Sequence, residues 1–136
     1  VHTTNYVTTF LEVAEDCRVA AGTEPPERAG GKSAARMQYE RIAGSPYRYT
    51  SDEVLFQVHA ERSGIPEAET EAERQRFFSK GQPCMRASDL TKRYGWGIHF
   101  DGEGRMALYG VESPEYRRLA NDPALAHVRA MRNSAK

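Results

Sequence analysis

At 136 residues, with zero formal net charge, 39% hydrophobic and 28% charged side chains, the chain has the length of one domain, 1–136, and can bury roughly two thirds of its unfolded surface without covalent staples. Balanced charge argues against nucleic acid as a partner, because a nucleic-acid domain carries a basic excess. Apolar runs are short, Val54–Phe56 being typical, so no membrane partner or span is expected.

The amino-terminal stretch has neither a basic nor an apolar leader region, so no signal peptide and a cytoplasmic location are expected. Cys17 and Cys84 are far apart and form no CxxC or zinc spacing, so they read as thiols in a reducing compartment. Arginine outnumbers lysine fifteen to four, the codon bias of a GC-rich bacterial genome, and Val1 then reads as a GTG start codon translated literally.

In chain order, Thr, Val, Tyr and Phe dominate residues 3–14 and predict a strand over Val7–Ala14, with a helix as the alternative. Residues 15–32 hold Pro25-Pro26 and Gly30-Gly31 and predict a long loop, either wrapped on the surface or functional. Ser33 caps a helix to about Ala43 whose apolar stripe is Ala35, Tyr39 and Ile42. Thr50 and Glu53 form a capping box, with Tyr49 and Val54 at the staple positions. That helix buries Val54, Leu55, Val58 and the stem of Arg62, and ends at Gly64 with Ile65 folding back. Pro66 opens a third helix with acids early and bases late, read as a solvated face. Ser88 starts a short helix to about Tyr94.

Residues 95–111 are the clearest hairpin, turning at Asp101–Gly104. Pairing Phe100 with Arg105 places Trp96, Ile98, Phe100, Ala107 and Tyr109 on one face and His99, Met106 and Leu108 on the other. Ser113 caps a short helix with Pro114 first. Asp122-Pro123 predicts a last helix docking Leu125, Val128 and Met131, and the terminal RNSAK is expected to fray. The fold class is α+β: a small antiparallel sheet containing the hairpin, packed by several helices, with the amino-terminal strand as a candidate addition.

No nucleotide, metal or hydrolase motif is present, and no cofactor is expected. Two constellations carry possible chemistry. Between Ser79 and Trp96, Lys80, Arg86, Lys92 and Arg93 face one acid, Asp89. With Ser88 opening a helix and Tyr94 and Trp96 as stacking surfaces, they form a candidate site for a small anionic ligand. The plain alternative pairs these bases with the acidic residues of the first thirty-one positions. Cys84, beside Lys80 and Arg86, is a candidate activated thiol with His99 as its base. The plain alternatives are a buried small hydrophobe for Cys84 and a satisfied strand histidine for His99.

The blocks HTTNYVTTFLEVAEDC, PYRYTSDEVLFQVHAER, FFSKGQPCMRASDLTKRYGWGIHF and ALYGVESPEYRRL, with AMR near the end, resemble a bacterial family of small proteins catalogued only as a domain of unknown function. The resemblance implies a complete cytoplasmic bacterial protein and supplies no activity for it. The family commonly has Pro where this chain has Asp89, which adds a negative charge beside the anion site. Three functions therefore stand in order: an anion-binding module or enzyme, a thiol-dependent enzyme using Cys84 and His99, and an interaction protein whose 15–32 loop meets a partner.

Overall fold

Local capping fixes most of the helices. The computed structural model describes residues 1–134. The first strand, β1, is Thr9–Glu12. Helix α1, Ala34–Gly44, begins where the Ser33 hydroxyl accepts the Arg36 N–H. Helix α2, Ser51–Ser63, carries the complete capping box: Thr50 accepts the Glu53 N–H, and the Glu53 carboxylate accepts the Thr50 N–H. It ends at Gly64, with the Ile65 N–H returning to Ala60 O at 3.0 Å. Buried Phe56 joins Val54 and Val58 on its inner face, while Leu55 is half-buried and Arg62 exposed.

The segment after Pro66 opens as a 3-10 turn, Glu67–Glu69, and becomes helix α3 at Thr70–Phe77. A second 3-10 turn, Met85–Ala87, leads into the four-residue helix α4, Asp89–Lys92. Strands β2, Trp96–Phe100, and β3, Met106–Gly110, form the hairpin. Helix α5 is Pro114–Ala120, capped by Ser113. The final segment is a strand, β4, Ala126–Arg129.

The sheet order is β3-β2-β1-β4. β1 pairs antiparallel with β2 and parallel with β4, so the α+β class holds with a mixed sheet rather than an antiparallel one. The expected last helix is the reason for the difference. The spacing of Leu125, Val128 and Met131 imitates a helical stripe, but β1 offers an open edge and β4 fills it. The hairpin register differs by one residue from the expected one. Phe100 faces Met106 and Ile98 faces Leu108, because the turn closes on Asp101 and Arg105: Asp101 N–H reaches Arg105 O at 3.0 Å. Gly104, at φ 80°, supplies the left-handed residue of the resulting three-residue turn. One step of register moves every return-strand side chain to the other face. Trp96, Ile98, Phe100, Met106 and Leu108 therefore share one face, while His99, Ala107 and Tyr109 share the other.

The first face carries the main core, where Leu11, Ile98, Phe100, Val54, Met85 and Leu90 are fully buried beneath α1, α2 and α4. The second face is covered by α5, with Phe10 against Tyr116 and Leu119. Tyr47 and Tyr49 close the outer edge of β3: Tyr47 donates its N–H to Met106 O and the Met106 N–H returns to Tyr49 O.

The 15–32 loop wraps on the surface. Trp96 Nε1 donates to Thr23 O at 2.8 Å, the Gly22 N–H bonds Glu112, and Pro25 is fully buried. Gly22 lies against the Trp96 ring, where an added Cβ would sit 2.8 Å from a ring carbon. No helix among the described residues is long and apolar enough to cross a membrane.

Candidate functional site

One recess is a cleft of about 750 Å³ lined by Asp16 and Arg18, by Lys92 and Arg93 at the end of α4, and by Arg132, Asn133 and Ser134 after β4. Parallel pairing of β4 with β1 builds it, because it carries the chain end back beside residues 15–18. Terminal residues 132–134 are tied down rather than frayed. The Asp16 carboxylate accepts the backbone N–H groups of Asn133 and Ser134 and the Asn133 side-chain amide. Those donors, led by the Asn133 N–H, hold Asp16 down to about 2. Ala135 and Lys136, the rest of the expected frayed end, lie outside the described residues.

Four cations border this space. Arg132 engages Glu15 at 2.7 Å, and Arg93 sits 3.7 Å from Asp89. Arg18 and Lys92 have no ion-pair partner among the described residues. Asp16 is the only carboxylate of the described lining, and the backbone engages it.

The remaining residues of the basic segment lie elsewhere. Lys80 is exposed beyond α3. Arg86 donates to Arg129 O and accepts from the Met131 N–H, bracing the turn before α4 against the end of β4. Ser88 is 9% exposed; its hydroxyl accepts the Leu90 N–H and donates to Gln38. Trp96 holds the 15–32 loop and packs 5.6 Å from the Tyr39 ring, and Tyr94 packs against the main core. Neither Ser88 nor Trp96 borders the cleft. None of the segment's bases pairs with the acids of the first thirty-one residues.

Cys84 and His99 are not partners. Cys84 lies before the turn into α4, on the face of the main core, with its Sγ 3.4 Å from the Tyr6 hydroxyl. Tyr6 in turn packs on Phe100. Burial, reinforced by Cys84, pushes the Tyr6 phenol up to about 12, so it stays protonated. Strand alternation sends His99 to the other face, where its Nδ1 meets the Tyr47 hydroxyl at 2.9 Å. Tyr47 also bonds Tyr109 at 2.7 Å. Burial raises the Tyr47 phenol and lowers His99, whose imidazole is therefore held neutral.

Sequence reasoning passed over Arg18 and Arg132, which are far apart in the chain, and Tyr6, whose only signal was its place in a strand-like run. Tyr47 reads from the sequence as a core or staple residue, with nothing to tie it to His99. Tyr47 sits at φ 60° after Pro46, a conformation no side-chain pattern announces.

No curated protein matches this sequence, and no solved structure matches it. The chain belongs to a family of unknown function, DUF6157, which matches it over residues 1–136.

Proposed function

We propose that this member of a family of unknown function binds a small anionic ligand in the cleft between residues 16–18, the end of α4 and residues 132–134. One observation carries the reading: four cations border a space of about 750 Å³ whose one described carboxylate is engaged by the backbone. Arg18 and Lys92 supply the free positive charge. Arg93 and Arg132, each near one acid, supply guanidinium faces suited to carboxylate or phosphate oxygens. The volume suits a molecule of metabolite size.

The test is titration of ¹⁵N-labelled protein with inorganic phosphate and with citrate. Amide shifts at Arg18, Lys92 and Asn133 are expected to saturate. Arg18→Ala and Lys92→Ala are each expected to weaken binding about tenfold through loss of a charge-assisted contact. Unchanged spectra at millimolar anion, or affinity in both variants equal to that of the parent protein, would overturn it.

A further inference from the structure

A second recess lies at the opposite end of the same short segment, and its chemistry is different. It encloses about 210 Å³ between α1, α2, the end of α3 and the turn before α4. Ala34, Leu55, Phe77, Pro83 and Ala87 give it apolar walls, and no charged side chain among the described residues lines it. Its polar groups are mostly satisfied. Gln82 Nε2 donates to Phe77 O at 2.7 Å, and Ser88 Oγ donates to Gln38 Oε1 at 2.5 Å.

That short separation identifies which end of the Gln38 amide faces Ser88. It suits O–H···O geometry and is too short for N–H···O. The Ser88 oxygen already accepts the Leu90 N–H, which leaves its proton to point at Gln38. Gln38 Nε2 is then turned away and has no hydrogen-bond partner among the described residues. Gln38 is only 6% exposed. No fully buried side-chain nitrogen or oxygen among the described residues lacks a partner. Nε2 therefore retains contact with open space, and the recess that Gln38 lines provides it. A nearly buried side chain with two unengaged N–H donors thus borders an apolar hollow that Cys84 also lines.

The geometry points to a binding site for a small neutral molecule with one apolar ring or short chain and a carbonyl oxygen. The carbonyl accepts from Gln38 Nε2, and the apolar body covers Leu55, Phe77 and Ala87. An ion is disfavoured, because the lining offers no counter-charge for the desolvation it requires. Size fits a single ring: apolar cavities of about 150 Å³ hold benzene. A water molecule bonded to Nε2 would leave the apolar walls wet, so a ligand that replaces its bond and covers those walls binds better. Cys84, hydrogen-bonded to Tyr6, forms part of the wall, and no bond to sulfur is required.

Benzamide, toluene and benzoate are the probes, one with a neutral carbonyl, one with no acceptor and one charged. In ¹⁵N spectra of the whole chain, benzamide is expected to shift the Gln38 side-chain NH₂ and the amides of Cys84 and Ala87, and to saturate. Toluene and benzoate are expected to bind at least tenfold more weakly. Gln38→Leu is expected to erase the preference for benzamide over toluene, and Ala87→Leu to fill the hollow and weaken both. If Gln38→Leu does not fold, the benzamide-to-toluene ratio on the unmodified protein decides. An unshifted Gln38 NH₂, or equal binding of benzoate and benzamide, overturns the inference. The cleft at the other end of α4 takes no part in these readouts, so its anion binding stands or falls separately.

Discussion

The two ends of residues 82–93 differ in how they are built. At the Gln82–Ser88 end, the recess is framed by three helices, and the residues behind it are fixed: Met85, Leu90 and Thr91 are fully buried. At the Lys92–Arg93 end, the cleft is framed by two irregular segments that Asp16 ties together. The first is neutral and is proposed to recognise by fit and by one amide donor. The second is ionic and is proposed to recognise by charge. A charge count along the segment merges the two into one basic stretch, yet only three residues, 89–91, separate the Ser88 edge of the neutral recess from the Lys92 edge of the ionic cleft.

The strongest way to break the contrast is to remove what separates the two ends. Leu90, fully buried between them, anchors α4 to the sheet. Leu90→Ala is expected to cost about 2–5 kcal/mol through lost burial and the cavity left behind. Urea denaturation measures it. A midpoint unchanged from the parent protein would mean that α4 is not held by its core contacts.

A finer cut is Thr91→Val. The fully buried Thr91 hydroxyl donates towards Met85 O at 2.9 Å and lies 3.1 Å from Ser88 O. It therefore locks the turn that shapes the neutral recess. Valine keeps the volume and removes the donor, at a cost of about 1–2 kcal/mol. The expected signature is weaker benzamide binding with phosphate binding unchanged; equal losses at both ends would show that the two are one coupled unit.

Salt separates them without mutation. The screening length falls from about 10 Å at 0.1 M to about 3 Å at 1 M. Phosphate affinity at the Arg18 and Lys92 cleft is expected to drop several-fold in sodium chloride over that range. Benzamide affinity is expected to hold or rise slightly. Calorimetric titration of each ligand at both salt concentrations checks this, and salt-independent phosphate binding would contradict an ionic cleft.

How much of this was legible depends on range along the chain. The capping box at Thr50 and Glu53 and the chain reversal at Gly64 use contacts within a few residues, and the amino-acid types alone determine them. The hairpin was legible in outline. Its register was not, because Asp101–Gly104 suits either a four-residue or a three-residue turn, and the Asp101 to Arg105 hydrogen bonds decide between them. β4 was illegible. Three of its four residues are exposed, so no alternation marks it, and its partner β1 lies over a hundred residues away.

The candidate sites follow the same division. Lys92 and Arg93 are in the cleft as the basic segment suggested, but Arg18 and Arg132 join them only through the β4 pairing. Gln38 carried no local signal at all, since its role depends on Ser88 from another part of the chain. The pairing of Cys84 with His99 failed for a reason strand alternation contains: His99 points away from Ile98 and Phe100, and Cys84 lies on their side.

The smallest expected effect is at the tie that shapes the cleft. Asp16 is the group whose ionisation holds residues 133 and 134, and its folded value of about 2 lies below its ordinary value of 3.8. The depressed value fixes the sign. In the unfolded chain Asp16 takes up its proton as pH falls through about 4, whereas in the folded chain it resists until about 2. Its contribution is therefore fully present above pH 4 and is lost progressively between about 4 and 2. Asp16 is half-buried at the surface, so water still competes for the carboxylate and the effect on global unfolding is small. The local effect is larger, because protonation weakens acceptance from the Asn133 and Ser134 N–H groups together. Protection of the Asn133 amide, its exchange measured against the intrinsic rate at each pH, is expected to fall over that window, while the Ala87 amide, bonded to Cys84 O, stays protected, since no carboxylate among the described residues lines its recess. Asp16→Asn keeps an acceptor oxygen without the charge. It is expected to show lower protection at Asn133 than the parent at pH 6 and no further loss of protection between pH 4 and 2. Protection at Asn133 that is flat with pH in the parent would mean that the carboxylate does not hold the chain end, and the cleft would lose the wall that gives it its shape.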